Sequence, residues 1–386
     1  MNIGIVCYAS VGGSGIVATE LAKSLAARGH NVHLLSSEPP FRYSEFQPGL
    51  SFHRVTTPAY PLFREPQYVL SLATRIAQVT RDFRLDVIHA HYAVPHATAA
   101  YLAKQILATT SEPSRVPQVI TTLHGTDITL VGSDRSYSET VAFSIDRSDG
   151  VTAVSESLRQ DTYRTLKVKK EIRVIPNFLD CRAHRASPNP ALRERFVRGG
   201  YDKLVIHISN FRPVKRVDVT VQVFARIAAR VRARLLLVGD GPDLGKALET
   251  ARALGIDEHV EALGEQDQIL PLLSISDLFL LTSLQESFGL AALEATACGV
   301  PVVASDVGGL HEVIEHGRSG FLHPLNDVEG MAGSGVAVLS DPALHAAMVA
   351  HGRRLVQERF CADLVVPRYE AFYEELLQRA SGAGPA

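Results

Sequence analysis

Short apolar runs alternate with amphipathic segments along the first 180 residues of the chain. The apolar runs predict β-strands at residues 3–8, 31–36, 86–90, 119–123, 150–155 and 172–175. Apolar positions spaced three or four residues apart predict helices at residues 17–27, 68–83 and 97–107. Strands and helices that alternate in this way indicate a parallel sheet covered by helices on both faces.

The same alternation restarts after a polar, proline-containing stretch at residues 180–189. Strands are predicted at residues 204–209, 234–238, 260–263, 278–282 and 302–305, and helices at 217–229, 245–254, 289–298 and 328–339. We therefore predict two doubly wound α/β domains, at residues 1–180 and 181–363. A last helix at 364–379, in a C-terminal segment of residues 364–386, is expected to pack back on the first domain and to end in a frayed tail.

Composition and net charge argue against nucleic acid and membrane lipid as partners. Hydrophobic residues make up 46% of the 386-residue chain and the net charge is −2, so no overall field attracts nucleic acid or anionic lipid. Four scattered cysteines suit a reducing compartment, where each is a small apolar residue. No leader-like segment and no run of roughly 18 apolar residues is visible. We expect a cytoplasmic protein without a membrane or nucleic-acid partner.

A glycine-rich turn follows the first predicted strand and opens a helix. Gly13 and Gly15, with Ala18, fit the loose dinucleotide-binding pattern, and Glu38 lies near the end of the second strand. Glycine permits close approach of the backbone to an anion at a helix N-terminus. We predict that Gly13 contacts a phosphate or substrate; a purely structural tight turn is the alternative.

Histidines and hydroxyls cluster after two further strands of the first half. His89 and His91 form an H-x-H pair, but the further ligands that a metal site needs are missing, so no metal is predicted. Tyr92 at a strand end suits hydrogen bonding to a polar substrate. His124, which is followed by glycine, is positioned to contact a sugar hydroxyl or to stabilise developing charge, although a lone histidine is often a buried core residue.

A cationic loop opens the second half directly after its first strand. The loop carries Ser209, Asn210, Arg212 and Lys215, and its charges would neutralise a diphosphate. The alternative is a solvated basic face. Gly239 begins a tight turn at the end of the next strand, where backbone groups are expected near a ligand.

The most specific motif is a pair of glutamates, Glu286 and Glu294, separated by seven residues. If Glu294 lies two turns into a helix, both carboxylates face one side of its N-terminus, where they accept hydrogen bonds from sugar and ribose hydroxyls. Backbone N–H groups nearby would bind phosphate oxygens. The backbone N–H groups are those of Ser287, Phe288, Gly289 and Leu290. Two exposed helix residues are the alternative.

These residues resemble the retaining GT-B glycosyltransferases of the glycogen-synthase-like group. Glu286 and Glu294, Ser-Phe-Gly-Leu between them, and the Cys298-Gly299-Val300-Pro301 segment carry the resemblance. It implies two Rossmann-like domains facing across a cleft, with a nucleotide-sugar donor held mainly by the second. Lys215 matches the diphosphate-binding segment of that group. Asn210 departs from it, because many members carry arginine there, and Arg212 is expected to stand in.

Within that group the chain is similar to the bacillithiol-pathway branch, whose members join N-acetylglucosamine to L-malate. Residues 10–21, 89–96, 121–129 and 209–216 carry this likeness. It implies UDP-N-acetylglucosamine as donor, L-malate as acceptor, an α-linked product and no cofactor. A homodimer is possible on size alone.

The resulting site hypothesis divides the residues by role. We expect the catalytic residues to be His124, Glu286, Lys215 and Arg212. The predicted donor contacts are Gly13, Ser209, Asn210, Arg212, Lys215, Gly239, Ser287, Phe288, Gly289, Leu290 and Glu294. The dicarboxylate acceptor needs donors on the first domain, for which the candidates are Ser14, Arg42, Tyr92 and Thr122. A nicotinamide-dependent oxidoreductase and a non-catalytic nucleotide-sugar-binding protein remain as rival functions.

Overall fold

The chain divides into two compact units, which are described separately. The computed structural model describes residues 1–9, 13–40, 43, 46–58, 67–110, 112 and 116–382. The first unit comprises Met1–Phe178 and Ala362–Ala386, and the second comprises Leu179–Cys361. The chain therefore passes between the units twice, once after Phe178 and once after Cys361.

Within the described residues, seven strands of the first unit form one parallel sheet in the order β3-β2-β1-β4-β5-β6-β7. The strands are β1 (Asn2–Val6), β2 (Asn31–Ser36), β3 (Leu50–Arg54), β4 (Val87–His91), β5 (Gln118–Leu123), β6 (Gly150–Ala153) and β7 (Ile172–Val174). The helices are α1 (Gly13–Ala27), α2 (Tyr68–Phe83), α3 (Thr98–Thr110), α4 (Ser138–Arg147) and α5 (Glu156–Thr165). The order reverses between β1 and β4, so the loops that follow these strands flank the position where such sheets bind ligands.

The second unit repeats this plan, with six parallel strands among its residues in the order β10-β9-β8-β11-β12-β13. The strands are β8 (Lys203–Ile208), β9 (Ala233–Val238), β10 (Val260–Gly264), β11 (Leu278–Leu281), β12 (Val302–Ser305) and β13 (Gly320–His323). The helices are α6 (Pro190–Val197), α7 (Val217–Ala228), α8 (Leu244–Ala253), α9 (Leu270–Ile275), α10 (Leu290–Cys298), α11 (Leu310–Val313), α12 (Val328–Ser340) and α13 (Pro342–Arg359). Here the order reverses between β8 and β11, which places the loops after these two strands side by side.

The last helix, α14 (Ala362–Ala380), belongs to the core of the first unit. Tyr369 and Tyr373 are fully buried in the apolar cluster formed with β1, α1 and β2. Gly150 at the start of β6 leaves room for this helix, because a Cβ there would lie 2.6 Å from side-chain atoms of Phe372 and Leu376. The helix is therefore fitted against the sheet rather than attached at its margin.

Alternation of apolar runs correctly predicted two α/β domains with parallel sheets, but it missed the edge strands β3 and β13 and the helices α4, α5, α6, α9, α11 and α13. β3 and β13 are edge strands, and each has partly exposed side chains, so neither presents a continuous apolar run. α13 is 18 residues long and mixes apolar with polar residues, and the Asp341 side chain caps it by accepting hydrogen bonds from the Ala343 and Leu344 amides. The Asp341-Pro342 start of this helix could have been recognised from the sequence, whereas its weak amphipathicity gave no periodic signal along its length.

The prediction that all four cysteines are unpaired is wrong for two of them. Cys181 and Cys361 form a disulfide with their Cα atoms 5.4 Å apart, although 180 residues separate them in the sequence. Spacing along the chain carries no signal for a pair brought together only by the fold. Cys7 and Cys298 are free and buried, as expected for small apolar residues.

One buried carboxylate joins the loops that follow β4 and β5. Asp127, 1% exposed, accepts hydrogen bonds from the Gly125 amide at 2.9 Å and the His124 amide at 3.3 Å through Oδ1. Its Oδ2 accepts from the Ala93 amide at 3.1 Å. Burial raises its pKa to about 6, against the lowering effect of these amides. The side chain therefore fixes the backbone beside Tyr92 and His124.

We predict that the stability of the Asp127→Asn variant, measured as its free energy of unfolding, increases relative to that of the wild type as pH rises. The folded state holds the extra proton between the ordinary pKa of 3.8 and the folded value of about 6. Wild-type stability is therefore lost through that window, by about 3 kcal/mol in full, whereas asparagine does not titrate. Urea unfolding of both proteins between about pH 4 and pH 7 measures the difference. A stability difference that does not change with pH would contradict the assignment.

Candidate active site

In the second unit, the loops after β8 and β11 are tied to each other at the point where the strand order reverses. The Leu284 amide donates to the Val214 carbonyl at 2.8 Å, and the Thr282 hydroxyl donates to the Arg216 carbonyl at 2.9 Å. These two hydrogen bonds hold the cationic loop of residues 209–216 against the segment that leads to Glu286. Two separately predicted motifs thus form one structure.

Lys215 and Glu286 meet as an ion pair inside this structure. The Lys215 Nζ lies 2.6 Å from Glu286 Oε1, and the Ser283 hydroxyl donates to the same oxygen at 2.7 Å. Their side chains are only 19% and 10% exposed. An ammonium has three donors, so Lys215 can hold Glu286 and still bind a phosphate oxygen. The structure brings these two predicted catalytic residues together.

His207 at the end of β8 determines what Ser209 can do. Its Nδ1 lies 2.9 Å from the Leu280 carbonyl, which only accepts, so Nδ1 carries the proton. Burial lowers the pKa of His207 to about 4 and keeps the ring neutral, so Nε2 accepts from the Ser209 hydroxyl at 2.8 Å. The Ser209 oxygen in turn accepts from the Phe211 amide at 3.3 Å. Ser209 therefore shapes the loop and has no proton left to donate to a phosphate.

The rest of the cationic loop is supported by glycines and by a buried ring. Phe211 is fully buried with a positive φ of 36°, which commits the backbone to a sharp turn. A Cβ at Gly239 would lie 1.8 Å from the Ser209 carbonyl oxygen, so only glycine permits this close approach. Asn210 is exposed. Arg212 is half-buried, and its Nε has no hydrogen-bond partner among the described residues.

The N-terminus of α10 follows directly after Glu286. Gly289 has a φ of +91°, and a Cβ there would lie 2.4 Å from the Leu310 side chain. The first amides of α10, from Leu290 onward, lack acceptors within the helix and can bind an anion. Ser287 is half-buried and Phe288 is buried. Glu294 lies one turn into the helix and is 3% exposed, so the alternative of two exposed glutamates is wrong.

Sequence reasoning missed a second glycine turn that shapes the Glu286 loop. The Gly309 amide donates to the Glu286 carbonyl at 2.9 Å. A Cβ at Gly308 would lie 2.0 Å from that carbonyl oxygen, so the two loops are in backbone contact. The Gly308-Gly309 pair in the loop after β12 was the available signal, because carboxyl ends of parallel strands meet at one edge of the sheet.

In the first unit, aromatic rings gather at the carboxyl ends of β1, β4 and β5. The Tyr8 and Tyr92 rings are 5.5 Å apart, and the Tyr92 and His124 rings are 5.2 Å apart. Tyr92 has a φ of 90°, an uncommon backbone state for a bulky residue and one that is often found at functional sites. Gly13 is exposed and Ser14 is 9% exposed, both in the first turn of α1. Arg42 lies outside the described residues.

The histidines of this edge form a neutral network. His91 and His124 are hydrogen-bonded through Nδ1 and Nε2 at 2.9 Å. Burial, and to a smaller extent the neighbouring His96, lowers the pKa of His124 to about 3. Burial also lowers the pKa of His89 to about 3. A neutral imidazole at His124 can donate or accept a hydrogen bond, but it brings no positive charge to the site.

Thr122 does not reach this edge. It is fully buried, and its hydroxyl contacts His89 Nε2 at 2.7 Å and the Thr152 hydroxyl at 2.7 Å. The prediction that Thr122 binds an acceptor is therefore wrong, since an enclosed hydroxyl cannot touch one. Thr122 instead supports the strand that carries His124.

Two other interpretations can be compared with the structure. Glu38, the expected ribose ligand of a dinucleotide site, is exposed and paired with Arg54 at 2.9 Å. In the described part of the chain, no group of three or more His, Cys, Asp or Glu residues is arranged to hold a metal ion. Every helix in that part is too short or too polar to traverse a lipid bilayer.

Comparison with known proteins identifies the family. Residues 11–183 match the family described as Glycosyltransferase Family 4, and residues 189–355 match Glycosyl transferases group 1. N-acetyl-alpha-D-glucosaminyl L-malate synthase of Bacillus anthracis is 46% identical over 98% of this chain and 98% of that protein. These matches exclude the oxidoreductase interpretation.

Solved structures agree on the fold. Sucrose-phosphate synthase from Thermosynechococcus elongatus superposes with a TM-score of 0.79 at 21% identity, covering 98% of this chain and 100% of that one. The Anabaena HepE complex with UDP-glucose gives a TM-score of 0.78 at 20% identity, covering 97% and 99%. With its two parallel-sheet Rossmann-like units and its sequence matches, the chain belongs to the GT-B glycosyltransferases of family 4.

Proposed function

We propose that this glycosyltransferase moves N-acetylglucosamine from UDP-N-acetylglucosamine to the hydroxyl of L-malate, with retention at the anomeric carbon and release of UDP. The observation that carries the proposal is the likeness, over nearly the whole chain, to a protein named for this product. The site geometry supports it independently, because the second unit offers cations and helix amides for a diphosphate and the first offers polar rings for a small acceptor.

The donor's diphosphate is assigned to the second unit. Lys215, held by Glu286, and the half-buried Arg212 supply positive charge, and the first amides of α10 supply hydrogen bonds. These groups act where negative charge develops as the bond between the anomeric carbon and the UDP oxygen breaks. Glu294 is assigned to the ribose hydroxyls, and Glu286 to the transferred sugar.

Retention is assigned to attack by the acceptor on the face from which UDP leaves. Double displacement would need a carboxylate free to act as nucleophile. Glu286 is held by the Lys215 ammonium and the Ser283 hydroxyl, and Asp127 is buried among backbone amides. The departing diphosphate is therefore the group that takes the proton from the malate hydroxyl.

The acceptor side uses neutral hydrogen-bonding groups. Burial lowers the pKa of His124 and makes the ring a weak base, so it orients a sugar hydroxyl and leaves proton abstraction to the diphosphate. Tyr92 and Ser14 are the remaining described candidates for the malate carboxylates. Arg42 keeps its assignment as a proposed contact.

Product formation tests the proposal most broadly. UDP release is expected with UDP-N-acetylglucosamine plus L-malate, and much less with UDP-glucose, with inositol phosphate in place of malate, or without acceptor. Proton NMR of the product is expected to show the small anomeric coupling of an α-linkage. Release that is independent of malate, or a β-linked product, would contradict the proposal, and no release at all would favour a non-catalytic binding protein.

The two glutamates are expected to separate binding from turnover. Glu294→Ala removes the ribose contact, so UDP affinity should fall by roughly 1.5–3 kcal/mol, the value of a charged hydrogen bond. Glu286→Ala should leave UDP affinity nearly intact and lower turnover of the complete donor by a comparable free energy. Calorimetric titration of UDP, together with kcat and KM, measures both effects. Equal UDP affinity in the two variants would refute the division of roles.

A further inference from the structure

Two segments of the second unit pack against Glu294 and Phe288 of the proposed nucleotide site. The first is the 179–184 turn, where the chain enters the unit, and the second is the 360–361 segment, where it leaves. The Leu179 amide donates to the Phe360 carbonyl at 2.9 Å, and Cys181 and Cys361 form the disulfide. The two ends of the unit are thus joined by a backbone hydrogen bond and by a covalent bond.

The 179–184 turn places a histidine against the proposed ribose ligand. His184 Nε2 lies 3.6 Å from Glu294 Oε1, and each side chain is 5% exposed. The His184 Nδ1 donates to the Asp180 carbonyl at 3.0 Å, which fixes the plane of the ring. Nε2 is buried and makes no hydrogen bond to any described residue. The ring edge that faces the carboxylate therefore limits the positions that Glu294 can adopt.

The 360–361 segment supports the loop between Glu286 and α10. Phe360 packs edge-to-face on Phe288, with ring centroids 5.7 Å apart and an interplanar angle of 79°. Phe288 is 2% exposed and Phe360 is 4% exposed, so this contact is enclosed. Such aromatic pairs favour one relative geometry beyond the burial of their area. The disulfide therefore joins the turn that carries His184, beside Glu294, to the segment that carries Phe360, beside the Glu286 loop.

The cysteine pair is also the accessible one. Cys181 and Cys361 are half-buried, whereas Cys7 and Cys298 are buried. Burial raises the pKa of both free thiols to about 12, so neither is a thiolate at neutral pH. A small thiol added to the protein is thus expected to act at the disulfide and to leave the other two cysteines unchanged.

We propose that His184 is a positioning residue for Glu294 and that the Cys181–Cys361 disulfide holds it in place, so that the affinity for the nucleotide depends on the thiol state of the protein. The proposal rests on the assignment of Glu294 to the ribose. Reduction by two equivalents of a small thiol, or one of a dithiol, transfers two electrons and two protons to the pair, which becomes two thiols while the reagent becomes a disulfide. The turn then keeps the Leu179–Phe360 backbone hydrogen bond but loses its covalent tie, so it confines His184 less tightly.

Titration of UDP into the oxidised and the reduced protein tests the redox part. We expect the Kd for UDP to rise about fivefold on reduction, of the order of one lost polar contact, and to return on reoxidation. The double variant Cys181→Ser with Cys361→Ser should have the weaker affinity and ignore the reductant. Equal affinity of the oxidised and reduced proteins would overturn this part, as would a response to reductant that persists in the double variant.

His184→Phe tests the positioning part, because phenylalanine preserves the ring but removes both nitrogens. We expect a Kd for UDP raised about fivefold, a raised KM for the donor and nearly unchanged kcat, since the reacting atoms are not touched. His345→Phe is the matched control: this half-buried histidine of α13 contacts the Asp277 carbonyl and should leave all three values unchanged.

Reduction of the His184→Phe protein should weaken UDP binding by much less than fivefold, since the two changes act on one contact. Wild-type affinity in His184→Phe would overturn the positioning role. If Glu294→Ala itself kept wild-type UDP affinity, the proposed ribose contact would fail instead, which separates the two failures.

Discussion

The ion pair between Lys215 and Glu286 is the interaction on which the donor site depends. A half-buried ammonium or carboxylate is costly without a partner, and each of these groups satisfies the other across the junction of two loops. Because the pair spans the loops after β8 and β11, it also holds the cationic loop beside the N-terminus of α10. Backbone hydrogen bonds and the Gly239 and Gly308 contacts leave this junction little freedom. The backbone contacts thus hold the cations proposed for the diphosphate, and the ion pair fixes the Glu286 carboxylate that is assigned to the transferred sugar.

In the first unit, by contrast, the histidines at the carboxyl ends of the strands are kept uncharged. Burial keeps His89, His91 and His124 neutral, and their hydrogen bonds to one another and to Tyr373 orient them. Asp127 ties together the loops on which Tyr92 and His124 lie. A neutral, orienting edge suits a reaction in which the departing diphosphate supplies the base.

Positions at strand ends were predictable, and contacts between distant segments were not. Lys215, Glu286 and Glu294 could be singled out because they lie in loops after strands or within the first turns of a helix, where local pattern and ligand chemistry coincide. Their roles in the site stay predictions. Thr122 was misassigned because a strand residue's orientation depends on register, which one sequence does not reveal. His184, Gly308 and the Cys181–Cys361 disulfide escaped notice because their partners lie far away in the sequence. The predicted fold class rested on periodicity and was confirmed, although two edge strands and six of the described helices were missed.

A double-mutant cycle on the ion pair tests this account most directly. Lys215→Met, Glu286→Gln and the double variant would be compared by kcat/KM for the nucleotide-sugar donor. If the two side chains act as one unit, each single change should cause most of the loss, and the double variant should be little worse. That result gives a coupling free energy above about 1 kcal/mol. Losses that simply add would contradict the claim that the pair organises the donor site.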